Sequence, residues 1–322
     1  MIVLLGCGSR AAIAVLLAVA ASGPASAATA LTVGKASATS DAIIPVNIGD
    51  QLGIFKRHGL DLKIIDFGGG SKMVQALAAG SIDIGDGAGT EMAFVAKGAP
   101  MLAVCESSGP APFLGVGVPW DSPIKQLEDL KNKIIGVSSS GSFSDWSGHQ
   151  LARTFGWGKD GVKTIAIGGG ATPARAAFRT HLVDAAIGGT SQFLAFEEVK
   201  EGRLLAPVSS YEGNVASGAL FASNRLIASN PDAIRTFLAG WIETINYMRT
   251  NKAETVRIAS GITHFSENVM SREYDLTINM HTGDCRFDPE ALAILKRSFV
   301  EMKLIDREPD MSKLYTEDYL PK

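Results

Sequence analysis

The stretch FGGGSKMVQALAAGSIDIGDGAGT, Phe67 to Thr90, is repeated in outline by IGGGATPARAAFRTHLVDAAIGGT, Ile167 to Thr190. Each copy runs from an apolar strand end through three glycines into an amphipathic helical segment, and then through an aspartate to a turn of small residues. The paired positions are Gly68–Gly70 with Gly168–Gly170 and Asp83 with Asp184. This internal repeat predicts two lobes of similar architecture.

Strand-like and helix-like segments alternate around both copies. The strand-like runs are Ala30–Lys35, Leu62–Phe67, Ile82–Ile84, Met101–Cys105, Ile134–Val137, Lys163–Ile167 and Val183–Ile187. Helical segments follow from Pro45, Ser71, Thr90, about Ser142, Thr172 and Thr190. Such alternation predicts an α/β fold of mixed, mostly parallel sheets with helices on both faces, and ligands in such sheets bind beyond the carboxyl ends of the strands.

The pattern changes from about Ser217, where a strand and turn, GALFASNRLI, is followed by helical segments as far as Leu304. A strand followed by helices is typical of a chain that returns to its first lobe. We therefore expect lobe one to comprise residues 28–117 and 216–322, and lobe two residues 118–215. The chain should cross between the lobes near Gly115–Trp120 and Tyr211–Ser217.

The N-terminal segment has the features of a secretory signal peptide, residues 1–27. Arg10 precedes an uncharged run, which is followed by Gly23-Pro24 and by the small-residue site Ala25-Ser26-Ala27. Cleavage before Ala28 predicts a periplasmic protein. In that oxidising compartment Cys105 and Cys285 could form a disulfide, and they could equally be two buried thiols.

Composition excludes several functions. The 322 residues carry a formal net charge of -3 without a basic run, which argues against nucleic-acid and anionic-membrane partners. The histidines and cysteines have no metal-binding spacing, and no cofactor motif is complete. Gly141-Ser142-Phe143-Ser144-Asp145 lacks the second glycine of a nucleophile elbow, so the sequence predicts no catalytic residue.

Three segments carry a family resemblance: Ile43–Val104, Ser122–Trp146 and Ser229–Asn251. In this order they resemble the solute-binding proteins of bacterial ABC importers for nitrate, taurine, aliphatic sulfonates and thiamine pyrimidines. The resemblance implies a two-lobed, type II-like periplasmic binding protein fold with a ligand cleft between the lobes, and we expect the protein to be a monomer. The resemblance also implies that the protein closes around a small solute and delivers it to a membrane permease.

The candidate ligand-binding residues lie in the turns that precede helices. Helix N-termini present unpaired N–H groups and partial positive charge, glycine allows close approach of the backbone, and a hydroxyl adds a donor. One serine of a turn suffices to cap its helix, so the remaining serines are available to a ligand. The candidates are Ser40, Asp41, Ser71, Gly89, Thr90, Ser139, Ser140, Gly141, Ser142, Gly189 and Thr190.

Alternatives remain open at the level of sequence. Ser40 and Asp41 could instead cap the helix that starts at Pro45, and Glu91 would favour a solute with an amine if it faced the cleft. The preferred solute is a small organic anion, a sulfonate or a carboxylate. The same scaffold also occurs in enzymes that resemble thiamine-pyrimidine synthases or menaquinone-pathway enzymes, and a ligand-binding module of a sensor would have the same sequence features. The synthases carry a cysteine-rich iron motif that this sequence lacks.

Overall fold

The structure is a computed structural model that describes residues 28–36, 44–158 and 160–321. The predicted signal peptide and the candidates Ser40 and Asp41 lie outside the described residues. Within the described residues, no helix combines the length and the apolar character needed to cross a membrane.

Strands and helices alternate as the sequence predicts. The strands are β1 (Thr29–Lys35), β2 (Leu60–Asp66), β3 (Ile84–Ala88), β4 (Met101–Ser108), β5 (Leu114–Pro119), β6 (Ile134–Val137), β7 (Lys163–Ala166), β8 (Ala185–Gly189), β9 (Gly202–Pro207) and β10 (Gly218–Ser223). The helices are α1 (Pro45–Gln51), α2 (Ile54–Arg57), α3 (Gly70–Ala78), α4 (Met92–Ala96), α5 (Phe143–Thr154), α6 (Ala171–Arg179), α7 (Thr190–Glu198), α8 (Ser209–Glu212), α9 (Asn224–Ser229), α10 (Pro231–Thr250), α11 (Lys252–Thr263), α12 (Glu267–Thr277) and α13 (Pro289–Glu301).

The described strands form two sheets of five strands each. The order is β2-β1-β3-β10-β4 in the first sheet and β7-β6-β8-β5-β9 in the second. In each sheet one strand, β10 or β5, pairs antiparallel with both of its neighbours, and the other four strands share one direction. The predicted fold class, two α/β lobes with mixed and mostly parallel sheets, is therefore confirmed.

The paired aspartates of the repeat make the same hydrogen bond in both sheets. Asp83 Oδ2 accepts the backbone N–H of Thr32 in β1 at 2.8 Å, and Asp184 Oδ2 accepts that of Ile134 in β6 at 2.9 Å. Each aspartate therefore joins the turn before one strand to the neighbouring parallel strand. The repeat in the sequence corresponds to a repeated structural unit.

The chain changes sheet between Ser108 and Leu114, and it returns between Pro207 and Gly218. The second interval contains the predicted crossing at Tyr211–Ser217. The first precedes the predicted crossing at Gly115–Trp120, because that segment forms most of β5 and pairs with β8 and β9 of the second sheet.

The returning segment packs against the first sheet and is joined to it covalently. Phe237 and Trp241 of α10 are fully buried with Val33 and Ile84 in one core, and α13 contributes Phe299 to a second core. A disulfide links Cys105 in β4 to Cys285, across 180 residues. The structure thus selects the disulfide over two free thiols.

Candidate ligand-binding cleft

A cavity of about 260 Å³ lies at the carboxyl ends of β6, β7 and β8. Its floor and walls come from the turns that follow these strands. The lining residues are Leu114, Ser138, Phe143, Ser144, Ile167, Gly168, Gly169, Gly170, Ala174, Ala186, Ile187, Gly188, Gly189 and Gln192. None of these lining residues is charged, so any polar group that enters the cavity meets hydroxyls, an amide and backbone groups.

The serine turn after β6 forms a closed ring of hydroxyls. Ser138 Oγ donates to Ser142 Oγ at 3.1 Å, and Ser144 Oγ lies 3.0 Å from each of them. Ser142 is also the N-cap of α5, because its Oγ accepts the N–H of Asp145 at 3.3 Å. Three hydroxyl protons can close the three bonds of this ring. A ligand acceptor must therefore displace one of these bonds to reach a hydroxyl.

The serine turn also has an outer side that faces away from this cavity. Ser139 and Ser140 are exposed, and Gly141 has a φ of +73° that places its N–H 2.8 Å from Asp145 Oδ2. Ser140 and Gly141 line a separate cavity of about 1200 Å³ between α5 and the end of α13. The four predicted residues of this turn are thus divided between helix capping and an outer surface.

The N-terminus of α6 opens on the cavity without a side-chain cap. Its N-cap is Gly170, whose φ of +92° is a backbone conformation that glycine adopts readily, and its first turn contains no acidic residue. Among the described residues, the N–H groups of Ala171 and Thr172 have no hydrogen-bond partner. Unpaired N–H groups of this kind can bind an anion.

The N-terminus of α7 is largely occupied by the protein itself. Thr190 is fully buried, its Oγ1 donates to Pro112 O at 2.7 Å and its N–H donates to Phe113 O at 2.9 Å. The N–H of Ser191 donates to Glu273 Oε1 of α12 at 3.3 Å. Gly189 and Gln192 are the residues of this turn that line the cavity, whereas Thr190 is buried and hydrogen-bonded within the protein.

The corresponding turn of lobe one encloses a carboxyl group. Glu91 is 7% exposed, and its carboxyl lies so close to Gly70 that a Cβ on Gly70 would be 1.7 Å from Oε1. Thr90 Oγ1 donates to Glu91 Oε2 at 3.2 Å. Burial raises the pKa of Glu91 to about 7, against weaker lowering by its hydrogen bonds. The hydroxyl of Thr90 is therefore engaged with a neighbouring side chain.

The remaining candidates of lobe one lie on either side of this carboxyl. Ser71 is exposed in the first turn of α3. Gly89 is buried, and its N–H donates to Ser217 O at 3.1 Å. A Cβ on Gly89 would be 2.1 Å from Ala216 O, so close packing against the returning chain requires glycine there.

Glu301 connects the two lobes beside the serine turn. Its carboxylate, at the end of α13, accepts hydrogen bonds from Trp146 Nε1 at 2.7 Å, Gln150 Nε2 at 3.0 Å and Arg153 Nη1 at 2.6 Å, all on α5. Because α13 packs on the first sheet and α5 packs on the second, these bonds cross between the lobes. Any rotation of the lobes that separates α13 from α5 must break them.

Sequence reasoning missed several residues that line the cavity. Ser138 and Ser144 belong to the serine turn, but the candidate set contained their neighbours instead. Gly168–Gly170 could have been named from the repeat, since each copy has a glycine triplet before its helix. Gln192 gives no local signal, because a glutamine in a helical segment is usually exposed.

Comparison with known structures shows the same architecture. The periplasmic aliphatic sulphonate binding protein SsuA from Escherichia coli superposes with a TM-score of 0.72 at 20% identity, over 89% of this chain and 92% of that chain. The desulfurization enzyme DSZB superposes with a TM-score of 0.66 at 14% identity, over 90% of this chain and 97% of that chain. The chain therefore has the fold of the periplasmic binding proteins. The enzyme DSZB shares this fold.

Sequence comparison identifies the family. The chain belongs to the NMT1/THI5-like family, whose sequence model matches residues 41–255. It is also 28% identical over 225 residues to a Brucella abortus protein named "Putative binding protein". That alignment covers 66% of this chain and 65% of the relative's own length.

Proposed function

We propose that this protein is the extracytoplasmic solute-binding component of an ABC importer, and that it binds a small organic anion, a sulfonate or a carboxylate. The observation that carries the proposal is the uncharged cavity of lobe two, onto which α6 opens with unpaired N–H groups and no acidic residue. The choice of a sulfonate is also supported by SsuA, which has the same fold and is an aliphatic sulphonate binding protein.

An anion can be held in such a cavity without a positively charged side chain. The partial positive charge of a helix N-terminus and several neutral donors together replace the water molecules that hydrate the anion. The side chain of Gln192 supplies a further donor, and Ser138 or Ser144 supplies one when a bond of the hydroxyl ring opens. A cavity of about 260 Å³ also has room for an organic group attached to the anion, because a single water occupies about 30 Å³ of the liquid.

Closure of the lobes is the mechanism we infer for capture. A solute held by lobe two gains contacts with Ser71, Thr90 and the predicted loop residues Ser40 and Asp41 when lobe one approaches. Because these contacts exist only in the closed form, the solute shifts the population toward that form. A membrane permease that recognises the closed form would then receive loaded protein, and the predicted signal peptide supports a periplasmic location for this event.

Thermal unfolding of the purified protein with a ligand panel tests the function. The panel contains butane-1-sulfonate, taurine, butyrate, nitrate and a thiamine pyrimidine, with 1-butanol as the uncharged control. A ligand present at one hundred times its Kd adds roughly 2.7 kcal/mol, which raises Tm by about 5 °C in a chain of this size. We expect a shift with the sulfonate or the carboxylate and none with 1-butanol.

The recovered compound must also be examined by mass spectrometry. An unchanged compound supports a binding protein, whereas conversion of the compound would favour an enzyme on the scaffold that DSZB shares. If neither the sulfonate nor the carboxylate shifts Tm, the proposed solute class is wrong, although the fold stands independently of this result.

A further inference from the structure

Gln192 is a buried polar residue in the first turn of α7. Its side chain lines the cavity of lobe two, yet the residue is only 6% exposed. The helix begins at Thr190, directly after β8, so Gln192 lies at the carboxyl edge of the second sheet. This edge is where ligands bind in parallel α/β sheets.

The carboxamide of Gln192 has no hydrogen-bond partner among the described residues. Its neighbours are satisfied, since Thr190 Oγ1 donates to Pro112 O at 2.7 Å and the N–H of Ser191 donates to Glu273 Oε1 at 3.3 Å. A buried amide without a partner destabilises the folded protein unless water or a ligand satisfies it. Neither polar atom of this carboxamide is fully enclosed, so the amide is open to a polar group, water or ligand, that enters the cavity.

Gly188 provides the space that the carboxamide occupies. A Cβ on Gly188 would be 3.3 Å from Gln192 Nε2 and 3.6 Å from Gln192 Oε1. The first of these distances is tighter than ordinary van der Waals contact, so a larger residue at position 188 would displace the amide by a few tenths of an ångström. The position of the Gln192 carboxamide therefore depends on the absence of a side chain at Gly188.

We propose that Gln192 is a specificity-determining residue that donates an N–H of its carboxamide to an oxygen of the bound anion. This inference rests on the proposed function. An amide supplies donors without adding charge, so it can complete the set that begins with the unpaired N–H groups of α6. Loss of the donor should weaken anion binding specifically.

Two nearly isosteric variants test the role of this donor. Gln192→Met removes the hydrogen bond, and we expect about a 10-fold higher Kd for butane-1-sulfonate by titration calorimetry at pH 8. Gln192→Glu replaces the donor by a carboxylate in the cavity, and we expect a Kd at least ~100-fold higher. Gln75→Glu makes the same charge change at an exposed position of α3, and its Kd should stay within about 2-fold of the original protein.

The pH dependence separates a binding role from a structural one. A protonated glutamic acid can donate its O–H, so the Gln192→Glu variant should regain affinity relative to the original protein between pH 8 and pH 5. Glu273 on α12 is the carboxylate next to this turn, and it is present in both proteins. A purely structural defect would lower Tm without ligand and would leave the affinity ratio independent of pH.

The outcomes distinguish the two proposals. If the original protein binds none of the anions, the proposed function fails, and with it the role given to Gln192. If the original protein binds butane-1-sulfonate and Gln192→Glu binds it equally well, Gln192 does not contact the anion and this inference alone is overturned.

Discussion

Gly70 and Gly170 hold the same place in the internal repeat, but glycine is required for different reasons. A Cβ on Gly70 would be 1.7 Å from Glu91 Oε1, so the requirement there is space. A Cβ on Gly170 would meet nothing within 4 Å, and its φ of +92° makes the requirement conformational. The same local motif thus encloses a carboxyl of the protein in lobe one and leaves an open cavity in lobe two.

From this difference we propose different roles for the two sides of the cleft. Beside Glu91, an anionic group would meet a carboxyl whose pKa is about 7 and which is partly ionised at neutral pH. Beside Gly170, it would meet unpaired N–H groups and uncharged side chains. We therefore expect the anionic end of the solute to enter lobe two and the remainder to face lobe one.

The largest expected effect comes from removing the charge of Glu91. Burial raises its pKa from 4.5 to about 7, so the folded state binds the proton more tightly than the unfolded state does. The stabilisation from this proton is fully present below pH 4.5 and is lost as pH rises through about 7. Relative to Glu91→Gln, the original protein should lose about 3 kcal/mol of unfolding free energy over this range.

Urea unfolding of both proteins at pH 4.5, 6 and 8 measures this difference. Glu106 and Glu212, whose pKa values burial also raises to about 7, are present in both proteins and cancel in the comparison. A difference between the two proteins that does not change with pH would show that the carboxyl of Glu91 is not held in a desolvated turn.

The second-largest expected effect is a loss of stability on substitution of Gly70, and it distinguishes the steric requirement at Gly70 from the conformational one at Gly170. Gly70→Ala should lower the unfolding free energy by about 2 kcal/mol, because the new methyl group overlaps the carboxyl of Glu91. Adding Glu91→Ala removes the overlap, so the double variant should recover most of this loss. Urea unfolding of the two single variants and the double variant gives the coupling free energy.

Gly170→Ala is the matched control in lobe two. It should cost about 2 kcal/mol through its backbone conformation alone, because φ of 92° and ψ of 179° define a region that is nearly confined to glycine. Glu91→Ala should not restore this loss, because no atom of Glu91 lies near Gly170. Equal rescue of both glycine variants by Glu91→Ala would contradict the distinction between a steric and a conformational requirement.

The alternation of elements could be predicted from the sequence because it is encoded locally. The glycine triplets, Asp83 and Asp184 fixed the repeat, and the helices from Pro45 and Thr190 begin where their N-terminal signals predicted. The start of lobe two was placed too late, since LGVGVP of β5 contains two glycines and has a weak strand signal. Its strand conformation comes from pairing with β8 and β9.

The cavity could be predicted only in part, because tertiary contacts decide which donors remain unpaired. Glu273 reaches the N–H of Ser191 from 82 residues away, and Pro112 takes the hydroxyl of Thr190. No local pattern indicates either contact. Whether Cys105 and Cys285 form a disulfide could not be predicted from the sequence either, because their proximity depends on how the returning segment packs.

The smallest expected effect concerns the contrast between a capped and an uncapped helix. Ser142 caps α5 through its Oγ, whereas α6 begins at Gly170 without a side-chain cap. Ser142→Ala should therefore lower the unfolding free energy by about 1 kcal/mol, through loss of the bond to the N–H of Asp145. Ser139→Ala, at the exposed neighbour, should change it by less than about 0.5 kcal/mol.

The affinity of Ser142→Ala for the ligand shows whether the hydroxyl ring of the serine turn limits ligand access. Ser142 closes the ring with Ser138 and Ser144, so its removal frees the proton that Ser138 donates to it. If that proton can turn toward the cavity, Ser142→Ala should bind butane-1-sulfonate at least as tightly as the original protein despite its lower stability. A weaker affinity would mean that Ser142 itself contacts the anion, as the sequence predicted, and that the ring opens when the ligand binds.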